Sequence, residues 1–214
     1  MITSSEIVFV IDDDEPVRNS LARLLGTSRY RIELFKSASE FLSRSAHQGP
    51  SCLIVDVRMP GLNGIDFQKA LIERRRQEQL IFITGHGNVP MCAEAMKAGA
   101  VDFLPKPFKP KELLLSVERA LSRSAEQRRR ESEKNHARTL LDQLTPREFE
   151  VMQLVTTGLL NKQVGGELGM AEKTVKTHRA HVMQKLGIAS VAELIGVMQK
   201  AEEPPVVRPT AKVS

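Results

Sequence analysis

The segment IVDVRMPGLNG, residues 54–64, decides the fold of the first half of this chain. It completes a short apolar run, Cys52–Val55, which ends at Asp56 and leads into a loop rich in Pro and Gly. The stretch Ile65–Arg75 then follows with the apolar spacing of an amphipathic helix. A buried strand, a loop and a helix in this order predict one βα unit of a parallel sheet.

The same alternation of strand and helix continues on both sides of this unit. Further strands are predicted at Ile7–Ile11, Arg31–Phe35, Leu80–Ile83 and Val101–Leu104, and further helices at Pro16–Leu25, Ala38–Arg44 and Pro90–Ala98. Five short strands separated by helices predict a doubly wound α/β fold, in which a five-stranded parallel sheet carries helices on both faces.

Polar side chains follow these strands at their carboxyl ends, where ligands gather in a doubly wound sheet. They are Asp12, Asp13 and Asp14 after the first strand, Asp56 after the third, Thr84 after the fourth and Lys106 after the fifth. Carboxylates at one edge repel each other unless a cation joins them, and hard oxygen ligands suit Mg²⁺. A carboxylate beside such an ion can accept a phosphoryl group, which a hydroxyl and an ammonium group can then bind.

Four segments of this half resemble the motifs of response-regulator receiver domains. They are VIDDDEPVR (10–18), IVDVRMPGLNG (54–64), ITGHG (83–87) and MKAGAVDFLPKPF (96–108). The resemblance covers about residues 5–122, which we interpret as a receiver domain at 1–122 with a flavodoxin-like fold. It implies that Asp56 is the phosphoacceptor and that a sensor histidine kinase modifies it.

The receiver resemblance also implies roles for the other residues at this edge. It implies that Mg²⁺ is bound by Asp12, Asp13, Asp56 and the backbone carbonyl of Arg58. It makes Thr84 and Phe103 the switch residues, makes Lys106 the phosphoryl contact and implies a cis bond before Pro107. His86 is read either as a site residue or as a solvent-facing loop residue.

A long helix is predicted to leave the first domain, because no Gly or Pro interrupts residues 111–145. Its first turns are apolar, whereas the part that follows is strongly polar and includes the charge run Arg128–Glu133. We interpret residues 123–141 as an extended helical linker, and the charge run as a solvated helix face in preference to a second nucleic-acid patch. Intermittent apolar positions in Leu113–Leu144 leave a coiled-coil dimer contact open as an alternative.

An all-α domain of four helices is predicted at 142–201. Thr145-Pro146-Arg147-Glu148 has the pattern of a capping box, and Asn161 is expected to cap the following helix. The helices are expected at about Arg147–Thr156, Asn161–Leu168, Glu172–Leu186 and Val191–Lys200. Three prolines and few apolar residues after Lys200 predict a disordered tail at 202–214.

The second and third of these helices have the pattern of a helix-turn-helix, whose later helix enters the major groove of DNA. Gly169 can take the left-handed turn, and Val175, Val182 and Leu186 are spaced to face inward. Between them lie the residues suited to phosphate and base contact: Lys173, Lys176, Thr177, Arg179, Ala180 and Lys185.

Two segments, LTPREFEVMQLVTTGLLNKQV (144–164) and EKTVKTHRAHVMQKLG (172–187), resemble the LuxR/NarL-type DNA-binding domain. A receiver followed by this domain resembles the NarL/FixJ class of response regulators, and the receiver motifs are most similar to its FixJ-like members. The resemblance implies that Lys176, Thr177 and Ala180 face bases, and that Lys173, Thr174 and Arg179 meet phosphates.

Two departures from that pattern affect these expectations. Gly165 and Gly166 replace the alanine-rich centre of the first helix, at a cost of about 1 kcal/mol each, which predicts a locally soft helix. Ala180 cannot donate a hydrogen bond to a base, although it can contact a thymine methyl group.

The chain is therefore predicted to be a two-component response regulator that dimerises and binds promoter DNA when Asp56 is phosphorylated. The expected partners are the sensor kinase, double-stranded DNA, RNA polymerase and a second copy of the chain. It is not expected to be an enzyme beyond catalysing its own phosphorylation and dephosphorylation. Two other classes stay open: a metal-dependent phosphohydrolase with an aspartyl nucleophile, and a constitutive DNA-binding protein whose receiver only dimerises.

The length suits one large domain or two small ones, and the composition is that of a protein expected in the cytoplasm. The chain has 214 residues, 41% hydrophobic and 27% charged, with a net charge of +5 that is compatible with nucleic acid. Its apolar runs are too short to span a bilayer, and its N-terminus lacks a secretory pattern. Cys52 and Cys92 have no metal-ligand spacing and are expected to be free thiols.

Overall fold

The computed structural model describes residues 6–26, 30–85 and 89–202, and the chain forms two compact units, residues 1–128 and 129–214. The strands are β1 (Ile7–Ile11), β2 (Arg31–Phe35), β3 (Ser51–Asp56), β4 (Gln79–Thr84) and β5 (Asp102–Pro105). The helices that alternate with them are α1 (Glu15–Leu25), α2 (Ala38–Leu42), α3 (Gly64–Glu73) and α4 (Val89–Lys97). Then follow α5 (Pro110–Leu141), α6 (Pro146–Thr156), α7 (Asn161–Leu168), α8 (Glu172–Leu186) and α9 (Val191–Ala201).

The five strands form one parallel sheet in the order β2-β1-β3-β4-β5, which confirms the predicted doubly wound fold. The chain moves from β1 outward to β2 and then returns to β3 on the other side of β1. In this register Ile11 lies opposite Val55, so the residues that follow β1 meet the end of β3. This reversal of direction creates the crevice in which such sheets bind their ligands.

Both faces of the sheet are buried by helices, which explains the continuous apolar runs in β1, β3 and β4. On one face, Phe9 packs in a core with Phe41 of α2 and Phe67 of α3. The rings of Phe9 and Phe41 meet edge to face with centroids 5.1 Å apart. On the opposite face, α1 and α5 contribute Leu25 and Leu113 to a second core.

Hydrogen bonds hold the long helix α5 against the first unit as far as Arg128, the last residue of that unit. The Ser124 hydroxyl, which is fully buried, accepts a hydrogen bond from the Ser51 backbone amide at 3.0 Å. The Arg128 guanidinium donates to the backbone carbonyls of His47, at 2.7 Å, and Gln48, at 3.1 Å. These contacts hold α5 at the end of the sheet where the strands begin.

The last turns of α5 belong to the core of the second unit. Ala137 and Leu141 are buried there with Leu194 and Met198 of α9. The Arg138 side chain also donates to the carbonyl of Ala201, at the end of α9. Residues 129–132, which lie between the part of α5 that packs in the first unit and the part that packs in the second, are exposed. The stretch interpreted as a linker, 123–141, is therefore helical, and its two ends contribute to different cores.

The second unit contains α6 to α9, within a residue of the predicted bounds. The Thr145 hydroxyl accepts from the Glu148 amide at 3.3 Å, and Glu148 Oε2 accepts from the Thr145 amide at 2.8 Å, which confirms the predicted capping box. Gly169 has the predicted left-handed conformation, with φ of 65°. Of the predicted tail at 202–214, residues 203–214 lie outside the described part of the chain.

Within the three described ranges, none of the helices combines the length and the apolar character that a membrane span requires.

Candidate functional site

The register of β1 against β3 brings Asp12 and Asp56 to the same edge of the sheet. Asp12 follows β1 directly, and Asp56 is the last residue of β3. Both are buried, with 1% and 7% of their surface exposed. Burial of two carboxylates side by side is unfavourable without a cation, so their position requires a positive partner.

Lys106 supplies that partner in the structure. Its Nζ lies 2.7 Å from Asp56 Oδ1 and 3.0 Å from Asp12 Oδ2. The backbone of Lys106 is tied to the neighbouring strand, because its amide donates to the Thr84 carbonyl at 2.7 Å. The peptide bond between Lys106 and Pro107 is cis, as the receiver resemblance implies.

The pKa values of Asp12 and Lys106 are both raised, for different reasons. Burial raises the pKa of Asp12 above its usual range, although a hydrogen bond from the Asp14 amide and the contact with Lys106 act in the opposite direction. Burial alone would lower the pKa of Lys106, but its hydrogen bonds to Asp56 and Asp12 outweigh that effect and raise it. Lys106 is therefore fixed in its charged form, while the buried charge of Asp12 remains only partly compensated. Such an environment favours a further cation.

The four predicted Mg²⁺ ligands differ in how far the structure brings them together. Asp12 and Asp56 converge, and the Arg58 backbone lies beside them, since its amide donates to Asp56 Oδ2 at 2.7 Å. Asp13 is exposed next to Asp12. Across the described ranges, there is no cluster of three or more His, Cys, Asp or Glu side chains arranged to hold a metal ion. The buried oxygen donors nevertheless fit a small hard cation whose remaining ligands are backbone or water.

The two predicted switch residues lie on the neighbouring strands. Thr84 ends β4 and is buried, with 1% of its surface exposed. Phe103 in β5 is half-buried and packs against Phe82, with ring centroids 6.0 Å apart. Thr84 lies opposite Pro105, the residue before Lys106. Phe103 lies two residues before Pro105 on β5. His86 falls outside the described residues.

In the second unit, α8 buries the three residues that were predicted to face inward, Val175, Val182 and Leu186. The predicted contact residues occupy the remaining surface of the helix. Lys173, Thr174, Lys176, Thr177 and Ala180 are exposed, and Arg179 is half-buried. The helix thus presents a mostly basic and hydroxylic surface, as phosphate and base contact require.

The prediction that Asn161 caps α7 is wrong. Helix α7 begins at Asn161, and the capping position is Leu160, whose amide donates to Gln163 Oε1 at 2.9 Å. The Asn161 side chain instead accepts a hydrogen bond from Arg179 Nη1 at 3.2 Å. Asn161 therefore orients a residue of α8, a role that local capping patterns do not reveal.

Lys185 is also placed differently from the sequence-based expectation that it lies among the contact residues of α8. Its Nζ lies 2.7 Å from Glu148 Oε2 and donates to the Gln143 carbonyl at 3.2 Å. The hydrogen bonds from Lys185 and from the Thr145 amide lower the pKa of Glu148 to about 2. Glu148, only 4% exposed, thus joins the capping box of α6 to α8.

The two glycines of α7 occupy different environments. A Cβ on Gly165 would lie 2.6 Å from the Met170 carbonyl oxygen, whereas a Cβ on Gly166 would meet nothing within 4 Å. The carbonyl oxygen of Gly165 also accepts a hydrogen bond from the Met170 amide at 2.9 Å, so the turn packs directly against this residue. The close approach of the turn explains why residue 165 is a glycine. Nothing in the structure explains the glycine at residue 166.

Comparison with known families assigns each half of the chain to a family. The family model described as response regulator receiver domain matches residues 8–118, and the model for bacterial regulatory proteins of the luxR family matches residues 142–198. The chain belongs to the response regulators of the NarL/FixJ class. Members of this family are transcription regulators rather than enzymes, so the phosphohydrolase alternative is set aside.

The individual relatives cover both units. Nodulation protein W of Bradyrhizobium diazoefficiens is 46% identical over 193 residues, which are 90% of this chain and 85% of that protein. The structure of the response regulator StyR is 44% identical, with a TM-score of 0.82, and covers 91% of this chain and 98% of its own. Full-length FixJ from B. japonicum is 36% identical, with a TM-score of 0.54, and covers 92% and 97%.

Proposed function

We propose that a sensor histidine kinase phosphorylates this response regulator on Asp56, and that the phosphorylated chain dimerises and binds promoter DNA. The observation that carries the proposal is the position of the Lys106 ammonium group between the buried carboxylates of Asp12 and Asp56. This arrangement places the Asp56 carboxylate, the proposed nucleophile, beside a cation that can neutralise incoming phosphoryl charge. The proposed location is the cytoplasm, where DNA and RNA polymerase are accessible.

In the proposed transfer, a carboxylate oxygen of Asp56 forms a bond to phosphorus while the bond from phosphorus to the kinase histidine nitrogen breaks. Asp12, Asp13, Asp56 and the Arg58 carbonyl would hold Mg²⁺, which would supply positive charge beside the phosphoryl oxygens. Lys106 leaves its contact with Asp56 Oδ1 to pair with the new phosphoryl group.

Thr84 and Phe103 connect this event to the rest of the unit in our proposal. The Thr84 hydroxyl turns toward the phosphoryl oxygens, and Phe103 moves into the space that opens beside β4. Phe103 is already half-buried against Phe82, so an inward rotation would keep it in contact with this core. The resulting change at the surface of α4, β5 and α5 favours the dimer by a shift of populations.

In the second unit, we propose that α8 enters the major groove. Lys176, Thr177 and Ala180 face the bases in this proposal, and Lys173, Thr174 and Arg179 meet phosphates. The hydrogen bond from Arg179 to Asn161 supports this assignment, because it orients the guanidinium from a neighbouring helix.

Phosphorylation is tested with purified full-length chain, Mg²⁺ and a small acyl-phosphate donor, followed by intact-mass measurement. We expect one added phosphoryl group on the wild type and none on Asp56→Asn. Asp66→Asn is the matched control, because Asp66 is an exposed acid at the start of α3 and should be modified as the wild type is. Equal modification of Asp56→Asn would contradict the assignment.

The link to DNA is tested by selecting binding sites from a random duplex pool with the acyl-phosphate-treated chain. We expect the treated wild type to form dimers and to bind the selected duplex more tightly than the untreated chain or treated Asp56→Asn does. Equal affinity of all three proteins would instead support the constitutive DNA-binding reading.

A further inference from the structure

One acidic residue interrupts the basic surface of α8. Glu172 is the first residue of this helix and the only Asp or Glu between residues 172 and 186. Its Oε1 lies 3.0 Å from the Nζ of Lys176, one turn further along. Ala180 follows after one more turn, so the three residues form a single stripe on the exposed side of the helix.

The local role of this ion pair is small. Both side chains remain largely exposed, Lys176 at 62% and Glu172 at 46%, and exposed pairs of this kind contribute little to stability. An acid at the first turn also interacts favourably with the helix dipole. These two effects concern the helix itself and do not depend on any particular DNA sequence.

The same carboxylate has a much larger effect if α8 lies in a major groove, as our proposed function requires. Phosphates repel it at every sequence, and so do the acceptor atoms of guanine and thymine. The groups that can compensate are base amino groups, and the cytosine N4 amino group is the usual partner of a Glu side chain. A carboxylate at this position therefore weakens binding to most DNA sequences and permits tight binding to only a few.

We infer that Glu172 is a specificity-determining residue, which accepts a hydrogen bond from a cytosine amino group and releases Lys176 to the DNA. In the free protein the pair with Lys176 compensates both charges. On a matching site the cytosine amino group replaces Lys176 as the partner of Glu172, and the freed ammonium contacts a guanine or a phosphate. On other sequences the carboxylate has no compensating donor, so binding is weakened.

The test compares wild type, Glu172→Gln and the control Glu150→Gln, all as full-length, acyl-phosphate-treated chains. Glu150 is a matched control because it forms an exposed ion pair with Arg147, at 2.7 Å, on α6 instead of α8. Each protein selects sites from a random duplex pool. Its affinity is then measured for the wild-type consensus, for all single-base variants and for a scrambled duplex.

We expect a cytosine preference at one position per half-site in the wild type and in Glu150→Gln, and its loss in Glu172→Gln. Discrimination at that position should fall about tenfold in Glu172→Gln, within the range typical of a single base pair. Affinity for the scrambled duplex should rise several-fold, because a negative charge near the phosphates has been removed.

Two outcomes would overturn the inference, and they differ. If Glu172→Gln keeps every base preference of the wild type, Glu172 acts only on the helix end. If the wild type selects no sequence at all, the proposed function fails and the inference fails with it. Glu172→Asp is the second variant, since it keeps the charge at the helix end but shortens its reach. It should retain wild-type thermal stability and lose the cytosine preference.

Discussion

The ammonium group of Lys106 lies 2.7 Å from the Asp56 carboxylate, although the two residues are 50 positions apart in the chain. The same group reaches Asp12 at 3.0 Å, so one cation compensates two buried acids. The stability of the first unit should therefore depend on Lys106 and on any other cation bound at this edge of the sheet.

Replacing Lys106 by Met should destabilise the first unit in the absence of metal by about 2 kcal/mol. This is less than for a fully buried pair, because Lys106 keeps 27% of its side chain exposed. Mg²⁺ should restore part of this loss by binding the folded state. Urea unfolding with and without Mg²⁺ measures both effects, and Lys109→Met, at an exposed position, is the control. If the metal-free Lys106→Met chain were as stable as the wild type, Lys106 would not be needed to compensate the two buried carboxylates.

Opposite effects are expected from alanine at the two glycines of α7. Gly165→Ala should destabilise the second unit by about 2 kcal/mol, because its Cβ would overlap the Met170 carbonyl oxygen. Gly166→Ala should stabilise it by about 0.5–1 kcal/mol, because its Cβ meets open space and the unfolded chain loses freedom. Denaturant unfolding measures both variants, and changes of the same sign would argue against this packing.

The hydrogen bond between Asn161 and Arg179 should affect DNA binding, given our proposed orientation of α8. Arg179→Ala should weaken binding to all sequences and reduce the slope of log K against log salt by about 1. Asn161→Ala should weaken binding about two- to fivefold, because an unoriented guanidinium loses about 0.5–1 kcal/mol. In the Arg179→Ala background Asn161→Ala should have no further effect. Additive losses would show that Asn161 acts independently.

The ion pair between Glu148 and Lys185 should make the stability of the second unit sensitive to acid. The pKa of Glu148 is lowered from 4.5 to about 2, so its contribution is fully present above pH 4.5 and is lost as the pH falls toward 2. At neutral pH, Glu148→Gln should cost about 1.5 kcal/mol, the value of one hydrogen bond between charged groups.

The measurement for Glu148 is the free energy of unfolding as a function of pH. The difference between the wild type and Glu148→Gln should shrink between pH 4.5 and 2. Glu150→Gln, which alters an exposed pair on the same helix, should stay close to the wild type throughout. A difference that does not change with pH would mean that packing, and not charge, holds Glu148.

The sequence predicted those features that depend on local periodicity and on the ends of elements. The apolar runs before Asp12, Asp56 and Thr84 placed these residues at one edge of the sheet, because parallel strands share their direction. The capping box at Thr145 was equally local. All nine predicted elements of the first unit up to β5 appear in the structure, with bounds that differ by a few residues.

Side-chain pairs between distant elements could not be predicted in the same way. The contact of Lys185 with Glu148 spans 37 positions, and that of Asn161 with Arg179 spans 18. Nothing in the local pattern distinguishes these residues from solvated surface groups, because the pairing depends on how the helices pack. Burial of Ala137 and Leu141 was missed for the same reason, since the charged side chains around them indicated a solvated helix.

The helix α5 also determines where this protein can be recombined with its relatives. A joint at residue 142, where the LuxR-family match begins, would take Ala137 and Leu141 from one parent and their packing partners in α9 from the other. A joint within residues 129–132 would keep each core with its own side chains, because these residues are exposed. Chimaeras of this chain with a relative should therefore be joined within these four residues, inside the helix α5.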